Sequence, residues 1–288
     1  MSELKITSRT SLYAIIGNPI EHSLSPVMQN AAFEAVGLDA VYLALRVEPA
    51  GLHRAIEGFR AINLSGFNVT IPHKVAIMKY LDELDSSAAT IGATNTVVNR
   101  NGKLTGYNTD GTGALAALRE AGVNLQGRRI LLLGAGGAAR ALAFSFAKTA
   151  ERITILNRTS SKAESLAEDL RQATGATVVH GKLDPSTLDE EVASTDLLVN
   201  ATSVGMHPRS EETPVDVRFL RPDMVVFDIV YSPLETRLLR EAREVGAKGV
   251  DGLAMLVHQG VQAFELWTGK RAPTSTMTKA LRAVLGVD

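Results

Sequence analysis

Short apolar runs alternate along the chain with stretches whose apolar residues recur at helical spacing. Residues 12–16, Leu-Tyr-Ala-Ile-Ile, form the first run and are stopped by Gly17-Asn-Pro19. The pattern then predicts a helix over 27–36, a strand over 41–47 and a helix over 52–62 with Leu52, Ile56 and Phe59 on one face. Residues 67–71 read as another strand, ended by Pro72, which opens a helix through Met78 and Leu81. Residues 91–98 and 104–110 read as a strand pair joined by Asn101-Gly102, a strong hairpin signal. A helix over 114–121 follows.

From residue 130 onward the alternation becomes regular. Strands are predicted over 130–133, 153–156, 177–179, 197–200 and 224–228, with a short one near 248–250. Helices are predicted over 138–148, 162–174, 188–192 and 235–245. Parallel strands joined by such crossovers make a doubly wound, Rossmann-type dinucleotide-binding unit. The helical stretches 255–268 and 273–285 lie beyond that unit and are expected to return to the first domain. The expected division is 1–110 completed by 253–288, and 111–252.

Composition narrows the function classes. With 288 residues the chain can build two ordinary cores, and 45% apolar with 21% charged residues is a globular balance. A formal net charge of -1 argues against a nucleic-acid partner. No apolar run reaches the length of a membrane span, and the N-terminus has no signal-peptide core, so a cytoplasmic location is expected. The absence of cysteine removes disulfides, thiolate metal sites and cysteine nucleophiles, and the six histidines show no metal-ligand spacing. No metal is expected.

The candidate chemistry sits where strands meet helices. Gly134, Gly136 and Gly137 follow the 130–133 strand directly and precede an Ala-rich helix, a junction that lets backbone N–H groups approach a pyrophosphate. A glycine-rich turn without a ligand is the competing reading. Thr70 and Lys74 flank a strand end, and His73 reads as a helix-start residue. On the residues alone Lys74 reads equally as a solvated lysine, and Asp110 equally as a helix N-cap. Ser25 before Pro26 reads as an N-cap, whereas Ser23 beside it needs another explanation.

Taken together the motifs resemble the shikimate dehydrogenase (NADP-dependent) family over essentially the full chain. The carrying segments are His22-Ser-Leu-Ser-Pro26, Asn68-Val-Thr-Ile-Pro-His-Lys74, Gly92-Ala-Thr-Asn-Thr96 and Gly106-Tyr-Asn-Thr-Asp-Gly111. In the second half they are Gly134-Ala-Gly-Gly-Ala138, Asn157-Arg-Thr159, Asn200-Ala-Thr-Ser-Val-Gly-Met206, Asp228-Ile-Val-Tyr231 and Asp251-Gly-Leu-Ala-Met-Leu-Val-His-Gln259. The resemblance implies an α/β substrate domain, completed by the C-terminal helices, beside an NADP-binding Rossmann domain, with the site in the cleft between. It implies reversible NADPH-dependent reduction of 3-dehydroshikimate to shikimate, a step of aromatic amino-acid (chorismate) biosynthesis. Ser23, Ser25, Thr70, Lys74, Asn95, Asp110, Tyr231 and Gln259 match substrate contacts. Gly134, Ala135, Gly136, Gly137, Ala138, Asn157, Arg158, Thr159, Lys162, Ile229 and Gly252 match cofactor contacts. Lys162 stands where the family more often has arginine, and Ile229 where many members have methionine.

The chemistry agrees with that implication. Hydride reduction of a ketone builds negative charge on oxygen, so a proton donor must wait there; Lys74 with Asp110 suits the task, and Tyr231 is a weaker candidate. Hydroxyls and amides suit a polyol acid, whose buried hydroxyls each need a fixed partner. NADPH is expected over NADH because Asn157, not a carboxylate, ends the second Rossmann strand, with Arg158 and Lys162 beside it. The expected partner is the small-molecule substrate, with a homodimer as the assembly to test. The rivals are a quinate/shikimate dehydrogenase with relaxed substrate or cofactor use, a non-catalytic nucleotide sensor, and a methylenetetrahydrofolate dehydrogenase-like enzyme.

Overall fold

A computed structural model describes residues 6–287; residues 1–5 and 288, the two ends of the expected first domain, lie outside the described residues. The chain divides into two compact units, Met1–Thr109 with Val257–Asp288, and Asp110–Leu256.

The first unit begins with β1 (Ser11–Gly17), α1 (Ser25–Ala35), β2 (Ala40–Arg46), α2 (Leu52–Ala61) and β3 (Gly66–Val69). It continues with β4 (Glu83–Leu84), α3 (Ser86–Ile91), β5 (Thr96–Arg100) and β6 (Lys103–Tyr107). These strands form one mixed six-stranded sheet in the order β2-β1-β3-β5-β6-β4. The β1 strand pairs in parallel with both β2 and β3, while β3–β5 and β5–β6 are antiparallel. Alternation along β1 and β3 sends Ala14, Ile16, Phe67 and Val69 to a face packed against Leu52, Ile56 and Phe59 of α2.

Three local expectations change. The helix expected from Pro72 is a turn followed by a 3-10 segment, Ala76–Tyr80. The Lys74 carbonyl accepts from Thr94 N–H at 2.8 Å, so it is diverted from the helical ladder to the neighbouring segment. His73 is a buried anchor, not a helix start, with Nε2 2.7 Å from the Val47 carbonyl. The strand expected from residue 91 starts only at Thr96, because residues 86–91 form α3, capped by Asp85 accepting from Ser87 N–H at 2.9 Å and closed by Gly92 at φ +70°.

The second unit runs α4 (Asp110–Glu120), β7 (Arg129–Leu133), α5 (Gly137–Phe146), β8 (Arg152–Asn157), α6 (Ser160–Thr174), β9 (Val178–Lys182) and α7 (Pro185–Val192). It ends with β10 (Leu197–Asn200), β11 (Val225–Asp228), α8 (Arg237–Glu244) and β12 (Lys248–Val250). All six strands are parallel in the order β12-β11-β10-β7-β8-β9. The chain moves one way from β7 through β8 and β9, then returns to place β10 on the other side of β7. That reversal is the switch point where doubly wound sheets bind nucleotides. Its strands are apolar on both faces; Leu131, Leu133, Leu198 and Val226 pack with Leu188, Leu238 and Leu239 on one of them.

The chain closes with α9 (Leu253–Thr268) and α10 (Thr274–Leu285). In the first unit, Trp267 Nε1 donates to the Val97 carbonyl at 2.9 Å, and a Cβ on Gly66 would collide with its ring. Among the described residues no helix is long and apolar enough to cross a membrane.

Candidate functional site

In the first unit the candidate residues gather around the carboxyl end of β3. Gly17 lets the β1 exit pass against that end, since a Cβ there would stand 2.6 Å from Thr70 Cγ2 and 3.0 Å from the Ile71 carbonyl. Thr70 N–H donates to Ile16 O at 2.9 Å, and the Thr70 carbonyl accepts from His73 N–H at 2.9 Å, turning the chain so that Lys74 follows directly. Lys74 is half-buried. Its backbone is held by Thr94 on one side, and its neighbour His73 is held by Val47 on the other.

Asn95 is buried beside them. Its Oδ1 accepts from Thr109 N–H at 2.8 Å and its Nδ2 donates to Thr109 Oγ1 at 2.9 Å. Its carbonyl accepts from Val69 N–H at 2.8 Å and from Asn68 Nδ2 at 3.1 Å. Asn68 in turn donates to Thr96 Oγ1 at 3.0 Å and accepts from the Tyr42 hydroxyl at 2.6 Å. Tyr42, Asn68, Thr96 and Thr109 were not singled out as site residues from the sequence. The available signal was a polar side chain inside an otherwise apolar strand, as with Asn68 in Gly66–Val69.

Ser25 is the first residue of α1, not its cap; Leu24 holds the cap position and makes no side-chain bond. Ser23 Oγ accepts from Ser25 N–H at 3.3 Å, a local bond in the turn that leads into the helix. Gln259 lies on α9, next to Gly260, whose carbonyl accepts from Gln29 Nε2 of α1 at 3.0 Å. The fold of the first unit thus draws Thr70, Lys74 and Asn95 together by backbone bonds and ties the helix of Gln259 to the helix of Ser25.

The second unit holds the remainder. Asp110 is the buried first residue of α4. Gly111 behind it allows α4 to lie on α5, because a Cβ there would collide with Ser145 Oγ and come within 2.6 Å of the Ala141 carbonyl. Tyr231 and Ile229 are half-buried on either side of buried Val230. Gly252 presses its backbone on theirs, where a Cβ would lie 2.7 Å from Ile229 C and 2.8 Å from Val230 O.

At the switch point Gly134 has φ +112°, a conformation only glycine adopts without strain, and a Cβ would meet the Ala201 carbonyl at 3.0 Å. Gly136 caps α5 without a side-chain bond, and nothing lies within 4 Å of where its Cβ would be. That open, uncapped helix start, with Ala135, Gly137 and Ala138 around it, fits a pyrophosphate. The end of β8 repeats the theme. Thr159 caps α6 with no side-chain bond, and Asn157 Nδ2 donates to the Thr159 carbonyl at 3.0 Å. Arg158 and Lys162 are exposed there, and among the described residues neither is held in an ion pair. These residues fit a phosphorylated ribose: two exposed cations at the positive end of a helix whose first turn carries no acidic residue.

Asp228 lies fully buried at the end of β11, where burial pushes its carboxyl up to about 6. It and Asn200 sit in motifs legible in the sequence, yet no role had been attached to either.

Comparison with known proteins covers almost all of this chain. Family models match residues 15–97 (shikimate dehydrogenase substrate binding domain), 115–235 (shikimate / quinate 5-dehydrogenase) and 252–282 (shikimate 5'-dehydrogenase C-terminal domain). The chain is 47% identical over 286 residues to a shikimate dehydrogenase (NADP(+)) of Moorella thermoacetica, covering 99% of this chain and 97% of that one. A shikimate dehydrogenase crystallised with NADP+ aligns with TM-score 0.90 and 44% identity, covering 98% of each chain. The Listeria monocytogenes shikimate 5-dehydrogenase, crystallised with shikimate and NAD, aligns with TM-score 0.86 and 43% identity over 96% of this chain and 98% of that one.

Proposed function

The chain belongs to the shikimate dehydrogenase family, and we propose that it reversibly reduces 3-dehydroshikimate to shikimate with NADPH, in the pathway to aromatic amino acids, with Lys74 and Asp110 as its acid/base pair. The observation that carries this reading is the half-buried Lys74 just beyond the carboxyl end of β3, its carbonyl bonded by Thr94 N–H and its neighbour His73 anchored through its ring to the Val47 carbonyl, beside the buried Asn95 and Thr94. Such an ammonium can give a proton to the oxygen of a ketone as negative charge builds there, and take it back in the reverse direction. Ser23, Ser25, Thr70, Asn95, Tyr231 and Gln259 supply hydroxyl and amide partners for a polyol carboxylate, whose hydroxyls lose water on binding and need fixed replacements.

When bound, the nicotinamide supplies or accepts the hydride. The chain's part is to hold the dinucleotide: Gly134 to Ala138 at the pyrophosphate, Asn157, Arg158, Thr159 and Lys162 at the ribose 2′-phosphate, Ile229 and Gly252 near the nicotinamide. The uncommitted charges of Arg158 and Lys162 favour NADP over NAD, and Lys162 supplies charge without the two-pronged grip of arginine. The hydrophobic Ile229 keeps the apolar surface that methionine provides in many relatives.

The test is nucleotide reduction by purified protein given shikimate, quinate or neither, with NADP+ and with NAD+. Fluorescence growth with shikimate and NADP+ far above the other pairs is the expected result. Equal use of quinate or of NAD+ would replace the reading with a quinate/shikimate dehydrogenase, and nucleotide binding without turnover would replace it with a sensor.

A further inference from the structure

Asp228 is withdrawn from solvent, and the roles above give it no part. Its Oδ1 accepts from Asn200 Nδ2 at 2.9 Å and from Val230 N–H at 3.0 Å, and its Oδ2 accepts from Thr236 Oγ1 at 2.7 Å. Each partner belongs to a different piece of chain at the carboxyl edge of the second sheet. Asn200 carries the turn after β10, where its Oδ1 accepts from Thr202 N–H at 3.1 Å and from Thr202 Oγ1 at 2.7 Å. Thr236 caps α8, accepting from Leu239 N–H at 3.3 Å. Val230 lies between Ile229 and Tyr231; Gly252 packs against the backbone of Ile229 and Val230, and Ile229 N–H donates to the Asn200 carbonyl at 3.1 Å.

The three donors all point at one carboxylate, and an amide in its place would offer a single acceptor oxygen. The groups facing it are neutral: two N–H donors and a hydroxyl, with no charged side chain among the influences on it. An ionised carboxylate held in such a place burdens folding, yet its charge strengthens each hydrogen bond it accepts.

We propose that Asp228 is a positioning residue, whose carboxylate fixes the Ile229-Val-Tyr231 segment so that Ile229 and Tyr231 present a set surface to nicotinamide and substrate. The inference rests on the assignment of those two residues to ligand contacts. A residue kept only for stability would lose stability and activity together when replaced. Asp228→Asn should instead separate them. In the full chain near neutral pH, its thermal midpoint is expected at or above that of the unmodified protein. Its kcat for shikimate oxidation falls by about tenfold to a hundredfold, as for slight misplacement of a contact surface. The KM for shikimate changes less than about threefold. Amide exchange is expected to quicken at residues 229–231 and 200–204 and nowhere else. Thr236→Val removes one donor together with the cap of α8, so it should lower the thermal midpoint while quickening exchange at 229–231 and lowering kcat less than Asp228→Asn does, and Thr236→Ser should restore all three.

An Asp228→Asn protein with unchanged kcat and unchanged exchange at 229–231 would overturn the inference. So would one in which midpoint, exchange throughout the unit and kcat decline together. Should the unmodified protein fail to oxidise shikimate, the functional reading fails by itself, and exchange at 229–231 still decides whether Asp228 holds that segment.

Discussion

The two units set out their polar groups in opposite ways. In the first, the candidate substrate contacts are embedded in side chains that satisfy one another out of reach of water: Tyr42 to Asn68, Asn68 to Thr96 and the Asn95 carbonyl, Asn95 to Thr109. In the second, the candidate nucleotide contacts are backbone N–H groups at helix starts without a side-chain cap and two exposed cations. The difference follows from the ligands each half would meet. A ring bearing hydroxyls is told from its relatives by where single donors and acceptors stand, so their positions must be rigid before it arrives. A phosphate is a concentrated charge that dipoles and cations attract from many directions, so exposure there does little harm.

The sharpest way to break this contrast is at Lys74, which is asked to do both positioning and chemistry. Lys74→Ala should lower turnover by roughly 10²–10⁴-fold with far less change in shikimate affinity, the range for loss of a general acid. Asp110→Asn should damage turnover as well, and the double variant should lose less than the product of the two. Steady-state kinetics on the four proteins decide it; near-normal turnover in the alanine variant removes Lys74 from the mechanism.

The next effect is on stability. Asp228 has its carboxyl raised from 3.8 to about 6 by burial, so the folded protein binds its proton more tightly than the unfolded chain does. That contribution to folding is complete below about pH 4 and is lost as pH rises through about 6. At about 1.4 kcal/mol per pH unit it amounts to roughly 3 kcal/mol. The stability gained by Asp228→Asn should therefore grow from near zero at about pH 4 to a few kcal/mol at about pH 8, read from urea midpoints. A gain that ignores pH would place the cost elsewhere than in the charge.

How far the sequence carried these arguments differs between the units in the same manner as their chemistry. Glycines, strand ends and charges are local, so the nucleotide-binding half could be read almost residue by residue: the run 130–133 followed by Gly134 is β7 and its turn. The first unit depends on contacts between distant segments. Nothing near Lys74 announces that its carbonyl is taken by Thr94, which is why a helix was expected where a turn stands. His73 looked like a helix start because its partner, Val47, lies in another part of the chain. Ser25 lies inside the first turn instead of at the cap for a smaller reason: the helix begins one residue earlier than its proline implied.

Arg158 tests the exposed side of the contrast. A charge-assisted hydrogen bond contributes about 1.5–3 kcal/mol, so Arg158→Ala should raise the KM for NADPH by roughly tenfold to a hundredfold. NADH use should barely move, because NADH has no 2′-phosphate to lose, and the urea midpoint should stay within error because Arg158 is exposed. Equal loss with both nucleotides would mean that Arg158 serves the fold or the shared part of the dinucleotide.

The smallest effect is the most discriminating, since it compares two threonines that hold the same position on two helices of one unit. Thr236 caps α8 with a bond from Leu239 N–H, and Thr159 stands at the cap of α6 with no such bond. Removing a working cap hydroxyl typically costs about 1 kcal/mol of stability. Thr236→Ala should cost at least that, because its hydroxyl also donates to the buried Asp228. Thr159→Ala should cost less than about 0.5 kcal/mol, since a hydroxyl that satisfies nothing in the fold leaves nothing unsatisfied when removed. If that hydroxyl instead serves a phosphate, its loss is that of an ordinary hydrogen bond, about 0.5–1.5 kcal/mol, or roughly a twofold to tenfold rise in the KM for NADPH. The two alanine variants, measured side by side by urea unfolding and by nucleotide kinetics, should therefore fall on opposite axes: stability for Thr236 and nucleotide affinity for Thr159. A Thr159→Ala protein destabilised as much as an ordinary cap variant, with its nucleotide kinetics intact, would make that hydroxyl structural and erase the contrast between the units at its most exposed point.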